Sequence, residues 1–142
     1  GVQTCALPIY AAGAEKAKLF VVAIDDVEAS LKAVDVVRKH FPHLRIFARA
    51  RNRQHAYRLM DYNVALIERE TFGSSLSMAR AALEEFGWTY EAAQKTVDEF
   101  KKHDEAMLTQ QHKVYHDEKE LVNVSKQAAQ QLTDLFRGDK HT

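Results

Sequence analysis

Residues 19–53 read LFVVAIDDVEASLKAVDVVRKHFPHLRIFARARNR, and the order of patterns in this stretch decides the fold class. It opens with an apolar run at 19–23, rich in β-branched residues and ending at Ile24, and two carboxylates, Asp25 and Asp26, follow. Val27, Leu31, Val34, Val37 and Phe41 then recur at the spacing of one helix face. His40, Pro42 and His43 punctuate that helix, since a proline biases the residue before it, Phe41, out of the helical region. Residues 44–48 form a second short apolar run. The order is strand, helix, strand. Strands apolar on both faces and joined by a helix of this length belong to a parallel sheet covered by helices, so the predicted class is α/β.

Working outward, Asp26 is placed to cap the first helix, and Glu28 lies in its first turn, where the helix dipole favours a carboxylate. Asn52 can cap a helix over 53–61 whose apolar face is Ala56, Leu59 and Met60. A turn at 61–63 leads to a third strand at 64–67, which delivers Glu68, Arg69 and Glu70. A helix over 72–86 shows Phe72, Leu76, Ala79, Leu83 and Phe86 on one face and closes at Gly87. From Thr89 the character changes to a long helical tail. Its apolar positions are Tyr90, Ala93, Val97, Phe100, Met107, Leu108 and Val114, then, past a weaker interval, Leu121, Val124, Ala128, Leu132 and Leu135. So narrow a stripe asks for another surface, supplied by a partner subunit or a neighbouring domain. At the other end, GVQTCALPIY has no periodicity, and Pro8 would interrupt a strand or a helix interior. The expected organisation is a non-native-looking or disordered arm at 1–10, a sheet domain at 11–87 and a helical tail at 88–138.

Composition narrows the function classes. With 142 residues, 46% of them apolar, one domain with a real core is expected. The 20 basic and 20 acidic residues cancel, so no global field favours nucleic acid. Arg45, Arg49, Arg51, Arg53 and Arg58 cluster, but no aromatic platform is interleaved with them, and no nucleic-acid partner is expected. The single cysteine, Cys5, excludes a disulfide framework and suits a reducing compartment. No apolar run approaches the roughly 18 residues of a membrane span, and the start lacks the pattern of a signal peptide. A soluble, intracellular piece is expected.

In a parallel α/β sheet, ligands sit outside the carboxyl ends of the strands. The residues there are Asp25 and Asp26, then Arg49 and Arg51, then Glu68, Arg69 and Glu70, all charged and all on one edge. Guanidinium groups at that edge can fork onto a carboxylate or a phosphate; the competing reading is mutual salt bridging at a wet sheet edge. The glycine fingerprint of dinucleotide binding is missing, and so is a Walker loop, because the five glycines are scattered. The chain alone is therefore not expected to bind NAD well. For catalysis, Ser74, Ser75 and Ser77 lack a base and an orienting acid. His112 and His116 are four apart, but no third metal ligand is fixed near them. Neither a catalytic nor a metal site is assigned.

The run AGAEKA, VVAIDDVEASL, HFPHLRIFARARNRQHAYRLM and RETF, spanning residues 12–72, resembles the cytosolic regulatory domain of the Kef-type glutathione-regulated potassium efflux antiporters, the KTN or RCK domain. IDD after one strand, HFPHL before the next, RAR after it and RETF after the last are specific in combination. The resemblance implies that the strands are the second half, about three strands, of a Rossmann-like parallel sheet, followed by a long helical C-terminal tail. The first half, which carries the glycine loop and the ribose-binding acid, is absent from this sequence.

What the resemblance implies is a gate, not an enzyme. Such domains form homodimers beneath a membrane antiporter domain of the same polypeptide, at the cytoplasmic face of the inner (plasma) membrane. Glutathione holds the potassium:proton antiporter closed and bulky glutathione adducts open it. An ancillary quinone-reductase-like flavoprotein is a further implied partner. A nucleotide, NAD(H) or AMP, occupies the Rossmann crevice of the complete domain, where Asp25, Asp26, Arg49 and Arg51 would lie on the cofactor edge. Arg69 matches the arginine of RETF that contacts glutathione. Phe100, Lys101, Lys102 and Asp104 look like the family's F-R-R-x-(N/D) segment, whose last residue joins the same ligand site. Lysines stand here where arginines are common, and lysine cannot reproduce a bidentate fork. The alternatives are a free-standing nucleotide-binding potassium-transport regulatory subunit and a truncated gene product without independent activity.

Overall fold

The computed structural model describes residues 2–138. Among them, three strands form one parallel sheet in the order β1 (Leu19–Val22), β2 (Arg45–Ala50), β3 (Leu66–Arg69). Helix α1 (Val2–Ala11) precedes the sheet, α2 (Val27–His40) joins β1 to β2, and α3 (Arg53–Met60) joins β2 to β3. Then come α4 (Phe72–Glu85), α5 (Tyr90–His112) and α6 (Glu118–Gly138). The chain divides between Phe72 and Gly73 into two compact units.

In the first unit the strand–helix–strand reading holds, with Leu19 opposite Arg45 and Phe47 opposite Leu66 fixing the register. Asp26 caps α2, its Oδ1 accepting the Ala29 N–H at 2.7 Å. Asn52 caps α3, accepting the His55 N–H at 2.9 Å. Val22, Ile46, Ala48 and Ala50 are buried with Leu31, Val34, Val37, Phe41, Leu44, Ala56 and Leu59 in the core between the sheet and helices α2 and α3. The opposite sheet face departs from the expectation of helices on both sides: Leu19 is 43% exposed, Val21 62% and Leu66 47%. Strand bounds also differ. β1 ends at Val22, two residues early, and β3 starts at Leu66 and runs to Arg69. Glu68 and Arg69 therefore lie inside β3, because the chain turns through Asn63 in a left-handed conformation (φ +52°) before the strand begins.

Residues 2–11 are helical instead of a structureless arm. Pro8 lies inside α1 and donates no hydrogen bond, but its carbonyl accepts the Ala12 N–H at 3.0 Å, and the Tyr10 ring packs on Phe41 with centroids 4.5 Å apart.

In the second unit α4 ends at Glu85 and the chain turns through Gly87 (φ +89°), where Trp88 N–H reaches Leu83 O at 3.1 Å and Gly87 N–H reaches Glu84 O at 2.9 Å. That paired pattern needs a left-handed residue, which glycine supplies without steric cost. Thr89 caps α5 by accepting the Ala92 N–H at 3.2 Å. Helices α5 and α6 pack together, and Ala93, Val97 and Met107 on α5 and Ala128 on α6 are buried. Gln111, at the end of the α5 stripe, is buried too and donates to Ser125 Oγ at 2.9 Å.

Candidate functional site

The carboxyl ends of β1, β2 and β3 bring together the charges expected there. Asp25 pairs with Arg49 Nη2 through its carboxylate, while its backbone carbonyl accepts from Arg51 Nη1 at 3.4 Å. Arg51 in turn pairs with Glu70, Nε to Oε2 at 3.1 Å. One arginine thus ties the exit of β2 to the exits of both neighbours. These contacts are the mutual salt bridging of the competing sequence reading, and they also assemble two guanidinium groups on one edge. Arg49 Nε is buried and has no partner within the protein. A planar anion is the chemistry such a group accepts.

Period-two alternation splits the edge between two faces. Arg49 is opposite Glu68, and Ala50 is opposite Arg69, so Arg69 lies on the sheet face away from Arg49. Arg69 is half-buried, and its guanidinium carbon sits 3.7 Å from the centroid of the Phe72 ring. Asp26, expected among the ligand-edge residues, spends its carboxylate on the α2 cap. Asp104 lies on α5 in the second unit, half-buried. Of the segment matched with it, Lys101 faces Glu105 at 3.8 Å, and His103 Nε2 is buried without a partner.

Sequence reasoning passed over Arg38 and His55 and read Arg58 only as one of an arginine cluster, yet the structure gives all three a role. Arg38, on α2, donates from Nε to Tyr62 O at 2.8 Å, from Nη1 to Leu44 O at 3.2 Å, and from Nη2 to Asn63 O. Arg58 forks onto Glu28, Nη2 to Oε2 at 2.9 Å, and locks α3 to the first turn of α2. The Arg58 hydrogen bond holds the Glu28 carboxyl below the usual range. His55 is buried, and its Nδ1 accepts the Arg51 backbone N–H at 3.2 Å. Arg38 gave no pattern to read, because a carbonyl clamp depends on which loops pass nearby.

Among the described residues no three His, Cys, Asp or Glu side chains could hold a metal ion, and no helix is long and apolar enough to cross a membrane. His112 and His116 instead flank Tyr115, with ring centroids 5.7 and 3.9 Å from it.

Comparison with known proteins matches residues 9–69 to the TrkA-N domain and residues 74–142 to the potassium efflux system KefB C-terminal domain. The Kef C-terminal domain of Shewanella denitrificans, solved in AMP-bound form, superposes with a TM-score of 0.75 at 36% identity, over 80% of this chain and 72% of that one. The chain belongs to the Kef C-terminal domain family. The glutathione-regulated potassium-efflux system proteins KefC of Escherichia coli O139:H28 and of Shigella boydii serotype 18 are each 36% identical over 132 residues. That match covers 93% of this chain and 21% of the relatives, so the chain spans about a fifth of their length.

Proposed function

We infer that this chain acts as part of the cytosolic gate of a glutathione-regulated potassium:proton antiporter. Residues 11–87 serve as the second, partial half of the Rossmann-like regulatory domain, and residues 88–138 as a helical element for dimerisation and docking on the antiporter. The observation that carries the reading is Arg69 at the carboxyl end of β3, inside the RETF motif of a chain similar to the KefC proteins. Glutathione presents two carboxylates, and a guanidinium set by a strand end is suited to clamp one of them. Asp104 is proposed as a further glutathione-binding residue from the match of its F-K-K-H-D segment to the family's F-R-R-x-(N/D) pattern.

Nucleotide binding is supported by the AMP carried by the Shewanella relative and by the chemistry of the edge. Arg49, with its buried and unpartnered Nε, and Arg51 would face the phosphate, and Asp25 and Asp26 border them. The same residues suit AMP and NAD(H) alike, since both bring phosphate. We place the gate at the cytoplasmic face of the inner membrane as a homodimer joined to its own membrane domain, with a quinone-reductase-like flavoprotein as an ancillary partner.

The test is Arg69→Ala in the intact transporter. Glutathione should bind at least tenfold more weakly, as expected when a charge-assisted contact worth about 1.5–3 kcal/mol is lost, and it should fail to hold potassium efflux closed. Cooperative unfolding of the variant should match the wild type. Unchanged glutathione affinity would remove the assignment.

A further inference from the structure

His55 lies in the first turn of α3 and is 1% exposed. Its Nδ1 accepts the backbone N–H of Arg51 at 3.2 Å, which fixes the neutral tautomer with its proton on Nε2. Nε2 itself is buried and has no partner in the protein. Only a neutral imidazole can accept at Nδ1, because both ring nitrogens of the protonated form carry hydrogen. The amide it holds belongs to the residue that joins the three strand exits, through Glu70 at 3.1 Å and the Asp25 carbonyl at 3.4 Å.

We propose that His55 is a positioning residue for this charged edge: its neutral ring pins the Arg51 backbone, and protonation releases that amide and loosens the tie between Asp25, Arg51 and Glu70. The inference goes beyond the regulatory reading, since it requires no ligand and can be tested on the chain by itself.

The charged groups around the ring are Arg58 on α3, Arg51 at the end of β2 and Glu28 on α2. Burial lowers the proton affinity of His55 below its ordinary value of 6.5; Arg58 and Arg51 lower it further, and Glu28 opposes them. A folded-state value below the unfolded one means the latch is closed at neutral pH. It opens, at a cost to stability, only as the pH falls below 6.5 and through the folded value. The latch therefore responds to acid and not to base.

Amide hydrogen exchange of Arg51, followed by NMR from about pH 7.5 to about pH 5 alongside the His55 ring nitrogen shifts, tests this. After correction for intrinsic rates, Arg51 protection should fall about tenfold as the ring titrates, the scale of one lost hydrogen bond. The Ala56 amide, bonded to Asn52 O at 3.0 Å, should hold its protection and serves as the control. In His55→Asn, whose side-chain oxygen can take the place of Nδ1 without titrating, Arg51 protection should be independent of pH. A pH-independent Arg51 amide in the wild type, a ring that stays neutral throughout, or the same acid loss in His55→Asn would each overturn the proposal. The wild-type series decides by itself if the variant does not fold.

Discussion

The guanidinium carbon of Arg69 sits over the Phe72 ring, 3.7 Å from its centroid, so the first and last residues of the RETF motif form one unit. β3 ends at Arg69 and α4 begins at Phe72, and the contact spans the turn between them. An arginine held this way has fewer rotamers to lose when an anion arrives.

Phe72→Leu should therefore weaken glutathione binding without abolishing it. A cation–π contact at a partly exposed site is worth about 0.5–1 kcal/mol, which corresponds to a loss of roughly two- to fivefold in affinity. Phe72→Tyr keeps the ring and should bind like the wild type. Calorimetric titration of glutathione into the intact transporter distinguishes the two. Equal weakening by Leu and Tyr would show that packing, not the ring face, matters.

Arg38 supplies a second prediction, on stability. Its side chain satisfies the carbonyls of Leu44, Tyr62 and Asn63, tying the end of α2 to the entry of β2 and to the left-handed turn before β3. Arg38→Met keeps the aliphatic stem but leaves three acceptors to find water. A loss of about 2–4 kcal/mol in unfolding free energy is expected from bonds of this charge-assisted kind. Arg38→Lys should recover only part of it, because an ammonium cannot reproduce the fork. Urea unfolding of the three proteins measures the difference, and a loss below about 0.5 kcal/mol would show that water replaces the clamp at no cost.

These residues mark where sequence reading succeeds and where it stops. The apolar run at 19–24 and the spacing of Val27, Leu31, Val34 and Val37 are local properties, so the β–α–β order and the caps at Asp26 and Asn52 could be read directly. Strand ends could not, because pairing sets them: β3 starts at Leu66 where it meets Phe47 of β2, and the apolar pair Val64 and Ala65 falls in the approach. The charged exits were legible as a set. Their division between two faces required the register, which places Arg69 opposite Ala50 and Arg49 opposite Glu68. Arg38 acts on backbone atoms contributed by other segments, and no spacing rule announces that.

The last prediction concerns competition at the nucleotide edge. Arg51 faces the Glu70 carboxylate at 3.1 Å, and both side chains are partly exposed, so their attraction is modest and screened by salt. A nucleotide phosphate approaching Arg51 must displace or share that carboxylate, and it meets a like charge as it does so. Glu70→Gln removes the repulsion and should raise AMP affinity about two- to fivefold at low salt, from an exposed pair worth about 0.5–1 kcal/mol. Arg51→Met should lower it. Raising the salt concentration to about 1 M, where the screening length is about 3 Å, should bring Glu70→Gln and wild type together. Titration of AMP into the intact transporter at both salt concentrations gives the comparison. A fall in affinity for Glu70→Gln at low salt would mean that Glu70 holds Arg51 in the binding pose instead of competing for it.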